Sequence, residues 1–217
     1  MILTQQIDAR VFPTPAVPVS ADELDDAALV GRAARSDRDA FEVLYQRHAG
    51  PLYRTALGLT RDQHVAEELL QEAFVRAYRN VARVQLDRGA SLRPWLHRIL
   101  INLAYDWSAR QRSARSLIER SGIHLLPQSP SSPEHHAESV ETKRAVLDAV
   151  NQLPFKQRTV VVLFYLQEMD LAEIAETLDL PPGTVKSRLH YGRERLRELL
   201  TGERQTATGL EVSHAQA

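Results

Sequence analysis

Residues 170–189 read DLAEIAETLDLPPGTVKSRL, the pattern of a short helix, a tight turn and a second helix. Asp170 and Glu173 have the spacing of a capping box, in which two side chains satisfy free backbone amides at the start of a helix. Asp179 tolerates the left-handed conformation of a tight turn, and Pro181 or Pro182 suits the first turn of the following helix. The stretch therefore predicts a helix-turn-helix motif, which is typical of DNA-binding proteins.

The second helix of this motif has two different faces. Val185, Leu189, Leu196 and Leu200 form its apolar stripe, and basic and small polar residues occupy the rest. Lysine and arginine neutralise phosphates or bond guanine edges, while serine and threonine bond either phosphate or base. A solvated surface helix without a ligand would show similar charges. The candidate DNA contacts are Gly183, Thr184, Lys186, Ser187, Arg188, Tyr191 and Arg193.

The composition indicates a helical protein of the cell interior. Of the 217 residues, 43% are hydrophobic, and no apolar run is long enough for a transmembrane helix, so we expect no membrane insertion. The N-terminus lacks the pattern of a signal peptide, and a cytoplasmic location is expected. The chain has no cysteine, which excludes disulfides, thiolate metal sites and a cysteine nucleophile.

Charge is unevenly distributed along the chain. The 27 basic and 28 acidic residues nearly cancel, yet residues 76–115 contain nine arginines and only two aspartates. Because a polyanion interacts with local charge, this basic region is a second candidate for nucleic-acid binding.

The periodicity divides the chain into two helical blocks, which predicts an all-α fold of two small domains joined by a flexible linker. Residues 1–21 and 203–217 are expected to be disordered tails. The first block covers residues 22–111 and the second covers 140–202. Between them, residues 112–139 are rich in serine and proline, as linkers are.

Within the first block, Thr60 and Gln63 have capping-box spacing and predict a helix start. A later helix is expected to place Trp95, Ile99, Leu103 and Trp107 on an apolar face. Arg98, Asn102, Asp106 and Arg110 have four-residue spacing and form a polar stripe, in which Asp106 and Arg110 can pair.

Three stretches resemble two regions of one protein family. AEELLQEAFVRAYRN and RPWLHRILINLAYDWSARQR (66–80 and 93–112) resemble region 2 of the bacterial extracytoplasmic-function (ECF) sigma factors. LPFKQRTVVVLFYLQEMDLAEIAETLDLPPGTVKSRLHYGRERLREL (153–199) resembles region 4 of the same family. The two regions occur along the chain in the same order as in the family, and the resemblance covers about residues 22–202. It implies a sigma factor that directs core RNA polymerase to specific promoters and initiates transcription.

The resemblance also assigns roles to residues. It implies that the loop and helix of region 2 capture the melted minus-ten element, through Arg83, Arg88, Ser91, Arg93, Arg98, Asn102 and Arg110. The second block would bind the minus-thirty-five element, and Glu68, Gln71 and Glu72 would bind core RNA polymerase. Five positions depart from the family pattern: Glu68 replaces a usual aspartate, Val84 and Leu92 stand where phenylalanines are common, Tyr191 replaces an arginine, and Gly192 replaces an alanine.

Partners other than polymerase and promoter DNA follow from the same resemblance. Members of this family are commonly inhibited by an anti-sigma factor, and the Ser/Pro-rich linker is long enough for both domains to close around one. Without that partner, the linker predicts a broad distribution of interdomain distances.

Catalytic and metal sites are not indicated. The His135–His136 pair has no second pair of ligands at useful spacing, and the chain lacks phosphate-binding glycine loops and nucleophile motifs. We therefore expect no cofactor, no metal and no enzymatic activity. Two alternatives remain at this point: a stand-alone helix-turn-helix regulator and a protein-interaction module.

Overall fold

The computed structural model describes residues 24–121 and 137–213, where the regular secondary structure is helical and no strand occurs. This confirms the all-α class. The helices in these ranges are α1 (Asp26–Ala33), α2 (Arg38–Thr60), α3 (Gln63–Asn80), α4 (Arg93–Ser121), α5 (Ala137–Gln152), α6 (Phe155–Leu166), α7 (Leu171–Leu178) and α8 (Pro182–Ser213). A 3-10 turn, Val81–Arg83, follows α3. None of these helices combines the length and the apolar character that a membrane span requires.

Helices extend into both ends of the predicted linker. Residues 112–121 continue α4, and residues 137–139 begin α5. Residues 203–213 of the predicted C-terminal tail likewise continue α8. A helix already nucleated adds one backbone hydrogen bond per residue, and residues 112–121 contain no glycine or proline to stop it. The predicted tail at 1–21, the central linker and the His135–His136 pair lie outside the described residues.

Contacts group the chain into two compact units. The first lies within Met1–Arg47 and Asn80–Ser91, and the second within His48–Arg79 and Leu92–Ala217. The second unit therefore combines α3, α4 and part of α2 from the first sequence block with the helices of the second block.

In the first unit, α1 packs against the 3-10 turn. Its N-cap is Asp25, whose side chain accepts a hydrogen bond of 2.8 Å from the amide of Ala28. Leu29, Val30 and Val81 are buried and contribute to the apolar core of this unit.

In the second unit, α3 starts differently from the prediction. The side chain of Asp62 accepts a 3.0 Å hydrogen bond from the amide of Val65, so Asp62 occupies the capping position. Thr60 instead donates its hydroxyl to the carbonyl of Ala56 and ends α2. The predicted Thr60–Gln63 capping box is therefore wrong, and the cap lies two residues later. Asp62 is also a suitable cap residue, and it occupies that position.

The apolar face of α4 is also shifted from the prediction. Leu103 is buried as expected, but Trp95, Ile99 and Trp107 are only half-buried. The fully buried apolar positions are Leu96, Leu100 and Ala104, together with Leu92 just before the helix. Two apolar stripes lie side by side on this helix, and the aliphatic stripe packs inside while the bulky indoles lie at the edge.

The helix-turn-helix follows the sequence prediction closely. Asp170 accepts 2.8 Å hydrogen bonds from the amides of Ala172 and Glu173, and Glu173 accepts one from Asp170. Asp179 has φ 54° and ψ 53°, the left-handed conformation, and α8 begins at Pro182. Buried Ile174, Val185 and Leu189 hold the two helices together. Leu196 and Leu200, predicted to be buried in the same stripe as Val185 and Leu189, are only half-buried.

Close packing of α8 on α6 accounts for Gly192. A Cβ at this position would lie 2.9 Å from Cγ2 of Val161, nearer than side chains normally approach. The β-branched Val161 is stiff at χ1 and has little freedom to move aside. Glycine at 192 therefore permits a close approach of the two helices.

We expect Gly192→Ala to lower stability although alanine favours helices by about 1 kcal/mol. Overpacking costs about 1–3 kcal/mol and outweighs this gain. Gly183→Ala is the matched control in the same helix, because an added Cβ there meets nothing within 4 Å. Urea unfolding of both variants tests the prediction, and an equal gain in stability for the two would contradict it.

Candidate nucleic-acid interface

The exposed face of the helix-turn-helix carries several of the predicted DNA contacts. Lys186, Ser187 and Tyr191 are exposed, and Tyr191 has 60% of its surface accessible. Ser187 donates its hydroxyl to the carbonyl of Thr184 at 3.0 Å. Within the described part of the chain, Lys186 has no hydrogen bond or ion pair, so its ammonium group is available to a ligand.

The start of α8 contributes its backbone. Gly183 is exposed, and the first amides of a helix lack intrahelical acceptors. Together with the helix dipole, these amides favour a phosphate or another anion. Gly183 and Thr184 therefore lie where a DNA backbone could approach the helix end.

The two arginines predicted to contact DNA from this helix have different surroundings from Lys186. Arg188 is half-buried beside Val185 and Leu189. The guanidinium of Arg193 stacks over Phe164 at 5.0 Å and over Tyr165 at 5.5 Å, and its Nε donates to the Tyr165 hydroxyl at 2.9 Å. Arg193 therefore joins α8 to α6 by cation–π contacts, a structural role that the sequence did not indicate.

In the first unit, Arg83 ends the 3-10 turn, and the loop that follows carries Arg88 and Ser91; all three are exposed. Two adjacent aspartates at the start of α1 hold this loop. Asp25 accepts a 2.9 Å hydrogen bond from the amide of Gly89, which has φ 81°. The backbone hydrogen bonds from Ala28 and Gly89 lower the pKa of Asp25.

Asp26 completes the attachment of the loop. It accepts a 3.2 Å hydrogen bond from the Ser91 hydroxyl and forms a 2.6 Å ion pair with Arg47. Neither aspartate was predicted, because each lies more than sixty residues along the chain from the loop residue it binds. An acidic pair directly before a helix is the only local signal.

The predicted polar stripe of α4 has two environments. Asn102 is exposed and has no hydrogen bond within the described residues, whereas Arg98 bonds the end of α7. Arg110 donates to the backbone carbonyl of Asp106 at 3.3 Å, not to its carboxylate. The expected Asp106–Arg110 side-chain pair is therefore wrong. Arg93 donates to the carbonyl of Gln167.

The predicted polymerase contacts lie on one face of α3. Glu68 and Gln71 are exposed, and Glu72 forms a 2.7 Å ion pair with Arg76 one turn later. Glu68 lines a cleft of about 340 Å³ between α3 and α4, whose wall includes Trp107.

This face also contains apolar residues that were not predicted to bind polymerase. Val75 and Tyr78 are 42% and 44% exposed, one and two turns beyond Gln71. Exposed apolar groups beside charged ones are common in protein–protein interfaces. No cluster of metal-ligating side chains occurs in residues 24–121 or 137–213.

Comparisons with known proteins match both blocks. Residues 44–114 match the family model of sigma-70 region 2, and residues 143–196 match that of sigma-70, region 4. The ECF RNA polymerase sigma factor SigW of Bacillus subtilis strain 168 is 34% identical over 178 residues, 79% of this chain and 94% of that protein.

Two further proteins are similar to this chain over most of its length. The ECF RNA polymerase sigma factor SigM of Mycobacterium tuberculosis H37Rv is 34% identical over 82% of this chain and 86% of its own length. The solved structure of CnrH, in complex with the cytosolic domain of CnrY, is 25% identical with a TM-score of 0.60, covering 82% of this chain and 97% of that one.

The basic helical region of the first block and the helix-turn-helix of the second block, in this order, define a transcription initiation factor of the sigma-70 class. Within that class, the chain belongs to the ECF family of RNA polymerase sigma factors. The sequence-based resemblance is confirmed. A stand-alone regulator or a simple interaction module would leave the match of residues 44–114 to region 2 without an explanation.

Proposed function

We propose that this sigma factor divides its work between three surfaces. The minus-ten surface consists of the loop and α4 residues Arg83, Arg88, Ser91, Arg93, Arg98, Asn102 and Arg110. The minus-thirty-five surface is the exposed face of α8 that carries Lys186, Ser187 and Tyr191. The α3 face with Glu68, Gln71 and Glu72 binds core RNA polymerase.

The observation that carries this proposal is the presentation of Lys186 on α8. The helix follows a fully capped helix and a left-handed turn, and Lys186 is exposed without a partner in the described residues. A major groove admits a helix presented in this way, and a flexible cation at its exposed face can reach phosphate or base.

Because one chain carries two promoter-binding surfaces, it can bind a promoter selectively even when each surface alone binds weakly. Once one element is bound, the second binding event is intramolecular and occurs at a high effective concentration. The near-neutral total charge fits this arrangement, because affinity of the free protein for any duplex would depend on phosphate neutralisation. Specific binding is therefore expected only in the complex with polymerase.

We expect further that an anti-sigma factor inhibits this chain. CnrH, which resembles it over most of the chain, was solved with the cytosolic domain of another protein. The chain would act in the cytoplasm, without a cofactor and without catalytic activity of its own, since polymerase performs the chemistry of transcription.

Promoter-dependent run-off transcription with core RNA polymerase tests the proposal. Transcripts that require both the chain and a specific promoter are the expected result. Co-purification with core polymerase is the companion measurement. Tight sequence-specific footprints by the free chain, without activity on polymerase, would instead favour a stand-alone regulator.

Asn102→Ala is expected to impair promoter opening while leaving binding to core polymerase intact. The exposed amide can bond a base edge in the melted strand, and its loss should lower transcription by roughly 5- to 100-fold. Ser113→Ala, also exposed on α4, is the control. If Asn102→Ala weakens core binding to the same extent, the residue is structural.

A further inference from the structure

We propose that Asp25, supported by Asp26, is a positioning residue for recognition of the minus-ten element. From the start of α1 it fixes the loop of residues 84–91 in the conformation that presents Arg88. It thereby contributes to the choice of minus-ten sequence without contacting DNA. This inference rests on the proposed function in one respect, the assignment of Arg88 to the minus-ten surface.

Arg88 lies at the tip of a tight turn. The amide of Ala90 donates a 2.9 Å hydrogen bond to the carbonyl of Asp87, which closes a four-residue turn. Gly89 has φ 81°, whereas φ of Arg88 is not positive. A positive φ at the third residue alone is the property of a type II turn. Arg88 is therefore the second residue of such a turn, and its side chain is exposed.

The hydrogen bond between Gly89 and Asp25 selects this type of turn. The commoner type I turn differs in the orientation of the peptide between the second and third residues, because ψ of the second residue is about −30° instead of about +120°. The amide of Gly89 belongs to that peptide and donates to Oδ2 of Asp25 at 2.9 Å. A flipped peptide would turn this N–H away from the carboxylate. The bond therefore stabilises the type II turn and fixes the direction of the backbone at Arg88.

The two carboxylate oxygens of Asp25 have different partners. Oδ1 accepts a 2.8 Å hydrogen bond from the amide of Ala28 and caps α1, whereas Oδ2 accepts from Gly89. These backbone hydrogen bonds, together with the charge of Arg88, lower the pKa of Asp25. The side chain is therefore ionised at neutral pH and only accepts hydrogen bonds. One carboxylate thus joins the start of α1 to the loop.

Asp26 provides a second attachment two residues further along the loop. Its Oδ2 accepts from the Ser91 hydroxyl at 3.2 Å, and its Oδ1 accepts from Nη1 of Arg47 at 2.6 Å. Asp26 is only 6% exposed, and a buried charge is stable only when it is paired and hydrogen-bonded. Arg47 also donates to the carbonyl of Leu24 at 3.0 Å, which fixes the chain just before α1.

An ordered loop affects sequence choice more than total affinity. A loop already in its bound conformation loses less entropy on binding. Base discrimination by arginine depends on direction, because the guanidinium fork must align with the base edge. A turn that flips freely would still let Arg88 reach phosphates, which carry no sequence information. Loss of the attachment is therefore expected to reduce discrimination between minus-ten sequences.

Asp25→Ser separates the loop attachment from the helix cap. Serine caps helices about as well as aspartate does, but its single, shorter side-chain oxygen cannot cap Ala28 and also hold Gly89. Asp62→Ser is the matched control, because Asp62 caps α3 through its Oδ1, 3.0 Å from the amide of Val65.

Substitutions at Gly89 test the turn itself. An added Cβ meets nothing within 4 Å, so any effect arises from the backbone conformation and not from a clash. Asparagine tolerates a positive φ at the third position of a type II turn, whereas a β-branched valine does not. We expect Gly89→Asn to behave like the parent and Gly89→Val to behave like Asp25→Ser.

Hydrogen exchange measures the attachment without polymerase. Although Gly89 is exposed, its amide should be protected in the full-length parent. Exchange should be roughly 10-fold faster in Asp25→Ser, since hydrogen bonds to charged groups are stronger than neutral ones. Asp62→Ser should leave the Gly89 amide unchanged. Equal exchange of this amide in the parent and in Asp25→Ser would overturn the inference.

Run-off transcription with core polymerase, from a promoter library randomised at the minus-ten element, measures the consequence. The preferred sequence should lose roughly 5- to 20-fold of its advantage over the others in Asp25→Ser and Gly89→Val, and none in Asp62→Ser or Gly89→Asn. An unchanged preference profile in Asp25→Ser, with an active parent, would overturn the inference and leave the proposed function intact. A parent that gives no promoter-dependent transcripts would overturn the proposed function itself.

Discussion

Lys186→Ala is expected to change which minus-thirty-five sequences the protein uses. The side chain is exposed near the start of α8 and has no partner in the described residues, so DNA is its expected ligand. Loss of a base contact should weaken the preferred sequence most, by about 1–3 kcal/mol, and the others less. Run-off transcription from a promoter library randomised at this element, with core polymerase, measures the preference profile.

Arg188→Ala should behave differently in the same library. Arg188 is half-buried beside the apolar stripe, so its loss is expected to lower transcription from all promoters by a similar factor. Lys156→Ala, which removes an exposed lysine on α6, controls for the loss of charge. An unchanged preference profile for Lys186→Ala, at any total activity, would refute its assignment to a base.

His97 should make the folded protein sensitive to acid. The side chain is fully buried on α4, and burial lowers its pKa to about 4. Nδ1 lies 2.9 Å from the carbonyl of Arg93, while Nε2 has no hydrogen-bond partner in the described residues. A neutral ring fits this environment, and a charged ring would have no acceptor at Nε2.

The direction of the effect follows from proton binding. The unfolded chain binds a proton at His97 below about pH 6.5, and the folded chain binds it only near pH 4. Folding stability is therefore fully present above pH 6.5 and is lost as the pH falls towards 4. The expected loss between pH 7.5 and pH 5 is about 2 kcal/mol.

Urea unfolding at both pH values measures this loss. His97→Leu should reduce the difference in unfolding free energy between pH 7.5 and pH 5 by about 2 kcal/mol. His64→Gln, which removes an exposed histidine, should leave that difference unchanged. The same pH dependence in the parent and in His97→Leu would show that His97 is protonated in the folded state.

Sequence signals succeeded where the interactions are local. The capping box of Asp170 and Glu173, the turn at Asp179 and the proline at the start of α8 involve residues within a few positions of each other. Helix starts and turns depend on such short-range hydrogen bonds and backbone preferences. The helix-turn-helix and its exposed face could therefore be predicted before the fold was known.

On α4, the spacing of the apolar residues did not determine which face of the helix is buried. An apolar stripe through Trp95, Ile99 and Trp107 and one through Leu96, Leu100 and Ala104 both fit a helical repeat. Which stripe is buried depends on the shape of the neighbouring helices, and the aliphatic one is inside. Likewise, Thr60 and Asp62 are both good caps, and only the end of α2 decided between them.

The helical class, the order of the two blocks and the exposed polar face of α8 could all be predicted from the order of the amino acids. Only the tertiary structure revealed the attachment of Gly89 to Asp25, the close packing at Gly192 and the bonds between Arg98 and the end of α7. These interactions join residues that are distant along the chain, so no local spacing encodes them. They depend on how helices approach in space, because hydrogen bonds and van der Waals contacts act over only a few ångströms.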